Sequence, residues 1–177
     1  MKRLIGVLLL STACVLAVQG DSVGGTEKEL AESAEAQGKL QDALDHYTNA
    51  LREAYANRWP TDDILSIHGK IFDVHSRLDA TSTLPEAAVM HMQRGEAVLE
   101  AAKDQAGLEE AGDEFAQAML IAPWNSRVYF DKAVVYERMG NYGPAVTGFR
   151  LYLLAAPDAK DADDVRAKVV ELKRKLE

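Results

Sequence analysis

Four histidines, one cysteine and a large set of carboxylates are the side chains that could hold a metal or move a proton. His68 and His75 share one helical face but lie about 10 Å apart along an axis that rises ~1.5 Å per residue. Two ligands so separated cannot share one zinc ion. His91 sits between Met90 and Met92, yet no run of repeated methionines appears there to build a soft copper site. Half-burial beside apolar neighbours is the expectation for these three, and an outward, surface position for His46. Glu109, Glu110, Asp113 and Glu114 cluster on one helical stretch. Acid–base catalysis needs two carboxylates held across a cleft in environments that separate their pKa values, so a solvated face is expected here. "DAKDADD", residues 158–164, lacks the glycine and closing glutamate of a calcium loop. The sequence holds no G-x-S-x-G, no H-E-x-x-H, no glycine-rich phosphate loop and no Cys/His pair. The expectation is a protein that is not an enzyme, with no catalytic residue, no metal and no cofactor.

Charge narrows the partners. The chain of 177 residues carries a formal charge of −8, and binding to a phosphate backbone depends on Lys and Arg displacing counterions. No nucleic-acid partner is expected. The first twenty residues, "MKRLIGVLLLSTACVLAVQG", hold two basic residues, an apolar run and then small residues, the pattern of a secretory leader. Cleavage after Ala17 or Gly20 would export the chain to a bacterial periplasm. Cys14 offers a second route, lipidation and membrane attachment. The residues before it, Ser11-Thr12-Ala13, lack the leucine of a lipoprotein box, and the apolar run continues to Val18. Loss of Cys14 with the leader is therefore the favoured expectation, and a membrane anchor the alternative. Without it the domain has no cysteine and must hold itself together by packing.

A repeat organises the rest. Gly140-Asn141-Tyr142, Ala145, Phe149, Tyr152 and Pro157 answer Ala106-Gly107-Leu108, Ala111, Phe115, Ala118 and Pro123 at a step of 34 residues. Three such steps back lie Gly38, Leu40, Ala43, Tyr47 and Ala50. A small residue, a ring four later and a contact three beyond share one face of a helix. Glycine is expected to supply the turn into that helix and proline to stop it. Tyr129, Ala133 and Tyr136 repeat on one face of the preceding helix, so each unit is a pair of antiparallel helices. Residues 58–91 fill a slot by length but not by content, because Arg77, Thr81 and Leu84 stand where alanine, a ring and alanine belong. A helix is expected from Asp62 to Ala80, and another after Leu84-Pro85 ending near Asp104. The slot is either a decayed repeat or an inserted helix. The closing segment is acidic first and basic last, which suits a helix dipole, with Val165, Val169, Leu172 and Leu176 as its buried stripe. Trp59 and Trp124, each beside a proline, are expected as packing wedges at helix ends.

This pattern resembles the tetratricopeptide repeat, whose unit places small or aromatic residues at positions 4, 7, 8, 11, 20, 24 and 27 and proline at 32. The resemblance implies an all-α solenoid of helical hairpins: repeats at 24–57, 92–125 and 126–159, a divergent helical insert at 58–91 and a capping helix at 160–177. Position 4 departs from the pattern, with Glu27 and Gly95 where Tyr129 fits. In such proteins positions 2, 5, 9, 12 and 13 of each first helix line a groove for a partner peptide or helix. Carried over, these are Lys28, Glu32 and Glu35, then Gln93, Glu96, Glu100 and Lys103, then Arg127, Phe130, Val134, Glu137 and Arg138. Phe130 and Val134 have contact with the capping helix or the insert as an equal alternative. Some members clamp a partner's terminal carboxylate with lysine and asparagine; Glu32 replaces the asparagine, so no such clamp is expected. The implied function is a non-catalytic scaffold in the bacterial envelope binding a basic and apolar segment of another protein. The alternatives are an accessory protein enclosing a small ligand, marked by a buried polar pocket, and a lipoprotein assisting pilus, secretion or cell-wall assembly.

Overall fold

Turn chemistry sets the helix boundaries. The computed structural model describes residues 23–78 and 83–177 and places eight helices there, with no strand among the described residues. They are α1 (Val23–Ala36), α2 (Leu40–Ala56), α3 (Thr61–Ser76), α4 (Glu86–Ala101), α5 (Gln105–Ile121), α6 (Ser126–Arg138), α7 (Tyr142–Ala155) and α8 (Ala162–Arg174). The expected leader at 1–20 and Cys14 lie outside the described residues. No described helix is long and apolar enough to cross a membrane.

Gly38 and Gly140 close α1 and α6 at φ of +73° and +75°. The next N–H in each case bonds back five residues, Lys39 to the Ala34 carbonyl at 2.9 Å and Asn141 to that of Tyr136 at 2.8 Å. These are Schellman turns, and glycine adopts their left-handed residue without strain. Arg58 closes α2 in the same way at φ 52°, with a side chain to accommodate. The middle hairpin departs from expectation: Gly107 supplies no turn and lies in the first turn of α5. Asp104 caps that helix by accepting from the Gly107 N–H at 3.0 Å, so α5 starts before the repeat register requires. Its partner α4 likewise begins six residues ahead of position 92 and ends at Ala101, before Asp104. Pro60 and Pro85 precede α3 and α4, where their missing N–H removes no helical bond.

Repeat positions 20 and 24 form the core. Ala43, Ala111 and Ala145 are wholly buried where paired helices cross, and Tyr47, Phe115 and Phe149 are buried beside them. Gly95 explains its own departure from the pattern. A Cβ there would stand 2.8 Å from the Phe115 ring, so the glycine makes room for it. Gly148 does the same opposite Ala133, at 2.9 Å.

The hairpins α1/α2, α4/α5 and α6/α7 form as expected and make a helical-hairpin solenoid, but its regular stacking is interrupted after α3. α3 packs on α2 as the first helix of a following unit would. Its second helix is missing, because α4 pairs with α5 and forms no hairpin with α3. The slot at 58–91 is thus half a repeat plus the start of α4. Two arrays result, α1–α3 and α4–α8, each ending in an odd helix, α3 on α2 and α8 on α7. They meet where α2 touches α5 and α3 touches α7. α3 ends at Ser76 rather than at Ala80, which lies outside the described residues. On α8, Val165, Val169 and Leu172 are buried as expected, but Leu176 lies past the helix end and is 56% exposed.

Candidate functional site

The proposed groove residues divide into two groups. Gln93, Glu96, Glu100 and Lys103 form one exposed stripe along α4 and its C-terminal end, and none has a side-chain hydrogen bond or ion pair among the described residues. Lys28 and Glu32 on α1 are likewise unbonded there, but α1 packs chiefly on α2 and is not packed against α4, so they do not continue the α4 stripe. The second group is engaged within the molecule. Phe130 meets Phe149 and Tyr152 edge to face at 5.5 and 5.4 Å. With Val134 it lines a cavity of about 190 Å³ against Val165 and Lys168 of α8, so this pair faces the capping helix. Arg127 binds Asp131 at 2.8 Å and lies over the Phe130 ring. Arg138 donates to the carbonyls of Leu99 at 2.6 Å and Ala102 at 3.0 Å, closing the end of α4.

Position 12 shows why this division arises. Glu35 and Glu137 hold that position in the two outer units. Each reaches the odd helix of its array, Glu35 to Lys70 at 3.2 Å and Arg77 at 2.7 Å, Glu137 to Lys168 at 3.1 Å. The residue there in the middle unit is Lys103, which has no odd helix to hold.

The histidines are placed by packing. His46 is half-buried and bonded to Glu27 at 2.8 Å rather than on a bare surface; His91 pairs with Glu114 at 2.6 Å. Glu109, Glu110 and Asp113 remain on the exposed face of α5. His68, expected half-buried, is wholly buried and joins the two arrays. Tyr129 gives its one hydroxyl proton to the Pro123 carbonyl at 2.5 Å, so at 3.0 Å it accepts from His68 Nδ1. Nε2 is then the bare nitrogen and accepts from the Tyr55 hydroxyl at 3.0 Å. Burial, with the nearby Lys132 charge adding to it, pushes this imidazole down to about 3. Phe72 stacks on His68 and meets Tyr129 edge on, while His75 stacks on Trp124 at 5.7 Å. His68, Phe72 and His75 therefore form one stripe of α3 that docks on the turn between α5 and α6. Among the described residues no three His, Cys, Asp or Glu side chains gather to hold a metal ion.

Beside this junction lies a cleft of about 380 Å³, lined by Tyr55 of α2, Met119 of α5, Tyr129, Lys132 and Tyr136 of α6, and Leu151 of α7 among others. Burial lowers the Lys132 pKa, and the Asp113 carboxylate opposes that. Sequence reasoning passed over Lys132, although it occupies position 7, where the other units carry Leu30 and Val98. That departure from the pattern was the available signal.

The geometry defines an all-helical, tetratricopeptide-like arrangement of hairpins, folded as two short arrays. No protein-family model and no curated protein matches the chain. Among solved structures it is similar to the Arabidopsis OM64 TPR domain, at 18% identity over 84% of this chain and 94% of that one, with a TM-score of 0.35. It is also similar to the MamA protein, at 15% identity over 86% of this chain and 88% of that one, with a TM-score of 0.38.

Proposed function

We propose that the protein is a non-catalytic scaffold that binds a segment of another protein along the exposed face of α4. The observation that carries this reading is the unbonded stripe Gln93, Glu96, Glu100 and Lys103, solvent-facing along the C-terminal half of α4 and just past its end. The groove charges of neighbouring α6, Arg127, Glu137 and Arg138, are bonded within the molecule, whereas these are not, which leaves them open to a partner. With two acids in the stripe, a segment presenting basic residues with apolar contacts suits it. The leader pattern supports export, and the reading places this scaffold in the bacterial periplasm, with Cys14 as the membrane attachment if it is retained. Palmitate labelling of the wild type against Cys14→Ala decides that branch.

A photo-crosslinking side chain at Gln93 tests the surface, with the same probe at Glu109 on the opposite side of the hairpin as control. A discrete protein adduct is expected from position 93 alone, lost in the double variant Glu96→Lys, Glu100→Lys. Equal adducts from both positions, or an adduct indifferent to the charge reversal, refute the assignment.

A further inference from the structure

We propose that the cleft between the two arrays binds a small organic carboxylate, with its charge on Lys132 and its apolar body against Met119, Pro144 and Leu151. The cleft's volume of about 380 Å³ lies at the small end of ligand sites, ~300–1,000 Å³. Its walls are mainly apolar and aromatic, drawn from α5, α6 and α7, with Tyr55 of α2 closing the side toward the other array.

Lys132 is the feature that the fold does not explain. It is half-buried, and its ammonium makes no hydrogen bond or ion pair among the described residues. The face of Tyr136 lies 5.9 Å from its nitrogen to the ring centroid, and the Asp113 carboxylate favours its charge without bonding it. A half-buried charge without an ionic partner costs stability, and the equivalent positions of the other units hold the apolar Leu30 and Val98, neither of them fully buried. An apolar residue would therefore serve the packing better. The Tyr136 hydroxyl, one turn along α6 in the same cleft, is also without a hydrogen bond among the described residues. A carboxylate entering here gains an ammonium and a phenol donor together. The single charge and the scarcity of other free donors favour a monoanion over a phosphate. The apolar walls require a hydrocarbon body behind it. The site is separate from the α4 stripe, so either assignment can fail without the other.

Calorimetric titration of the full chain with three probes tests this. Octanoate supplies charge and body, octanol the body alone, inorganic phosphate the charge alone. Octanoate is expected to saturate in the low-millimolar range or tighter, octanol to bind at least tenfold more weakly and phosphate not to bind. Lys132→Met should weaken octanoate at least tenfold, while Lys132→Arg keeps most of the affinity. Thermal melting checks that the variants fold; Lys132→Met is expected to melt higher than wild type, since it removes an uncompensated charge and keeps the stem. Octanol binding as well as octanoate, phosphate matching it, no saturation by octanoate, or undiminished binding by Lys132→Met each overturns the proposal.

Discussion

The proton on His68 has one place to be. Tyr129 spends its hydroxyl proton on Pro123, Nδ1 must donate to Tyr129, and Nε2 is left to accept from Tyr55. Protonating Nε2 takes away the acceptor of the Tyr55 hydroxyl proton and places a charge inside the core, beside the Lys132 charge, with Phe72 covering the ring. The folded pKa of about 3 lies below the ordinary value of 6.5. The neutral ring therefore contributes its full stability above pH 6.5 and loses it as the pH falls toward 3. The loss runs at about 1.4 kcal/mol per pH unit, or about 2 kcal/mol between pH 6.5 and 5, before most carboxylates titrate. Urea unfolding of wild type and His68→Gln at both pH values isolates this residue, because every other group is common to both. The advantage of wild type over the variant is expected to shrink by that amount at the lower pH. An advantage independent of pH would refute the neutral ring.

At the scale of the helix pair, Gly95 and Phe115 show what a repeat pattern conceals. Position by position, Gly95 fails the pattern and weakens it. Paired with the ring it faces, it is the reason α4 and α5 approach so closely. Gly95→Ala gains up to ~1 kcal/mol of helix propensity but drives a methyl to 2.8 Å from a buried ring, an overpacking cost of ~1–3 kcal/mol. A net loss of stability is expected. Gly69→Ala on α3 is its counterpart: nothing lies within 4 Å of the added carbon, so the propensity gain should appear undiminished, up to ~1 kcal/mol. Opposite signs in denaturant unfolding are the result to look for, and equal signs would contradict the packing. The alanines and rings at positions 20 and 24 were legible in the sequence because they act within one hairpin. The early start of α5 was not, because Asp104 overrides the register through a local cap that Gly107 masks. Lys132 was visible as an intruder at position 7, but the cleft around it is assembled from α5, α6 and α7 with Tyr55 of α2, which spacing along one helix does not reveal.

Over the whole molecule the decisive event is the missing second helix after α3. A full unit at 58–91 would have continued the stack; half a unit leaves α3 with an uncovered face, and the chain covers it with the second array. The contacts at that seam are few and mixed. They comprise His68 with Tyr129, His75 on Trp124, and Arg52 of α2 donating to the Leu120 carbonyl at 2.8 Å. Short repeat arrays are stabilised by their neighbours more than by themselves, so neither array is expected to persist alone. Each array carries one of the two tryptophans, Trp59 following α2 and Trp124 following α5. Trp59→Phe and Trp124→Phe then give proteins in which one fluorophore reports one array. Within each variant, fluorescence and far-UV circular dichroism are expected to give the same urea midpoint, as coincident probes of a cooperative transition do, whatever stability the substitution costs. Adding His68→Ala with Arg52→Ala removes two of the seam's polar ties, leaves the hairpin cores untouched, and should split the midpoints, α1–α3 unfolding first because it has fewer helices to share burial. Midpoints that already differ without those changes would mean the arrays fold independently, and the seam, with its cleft, would lose its structural basis.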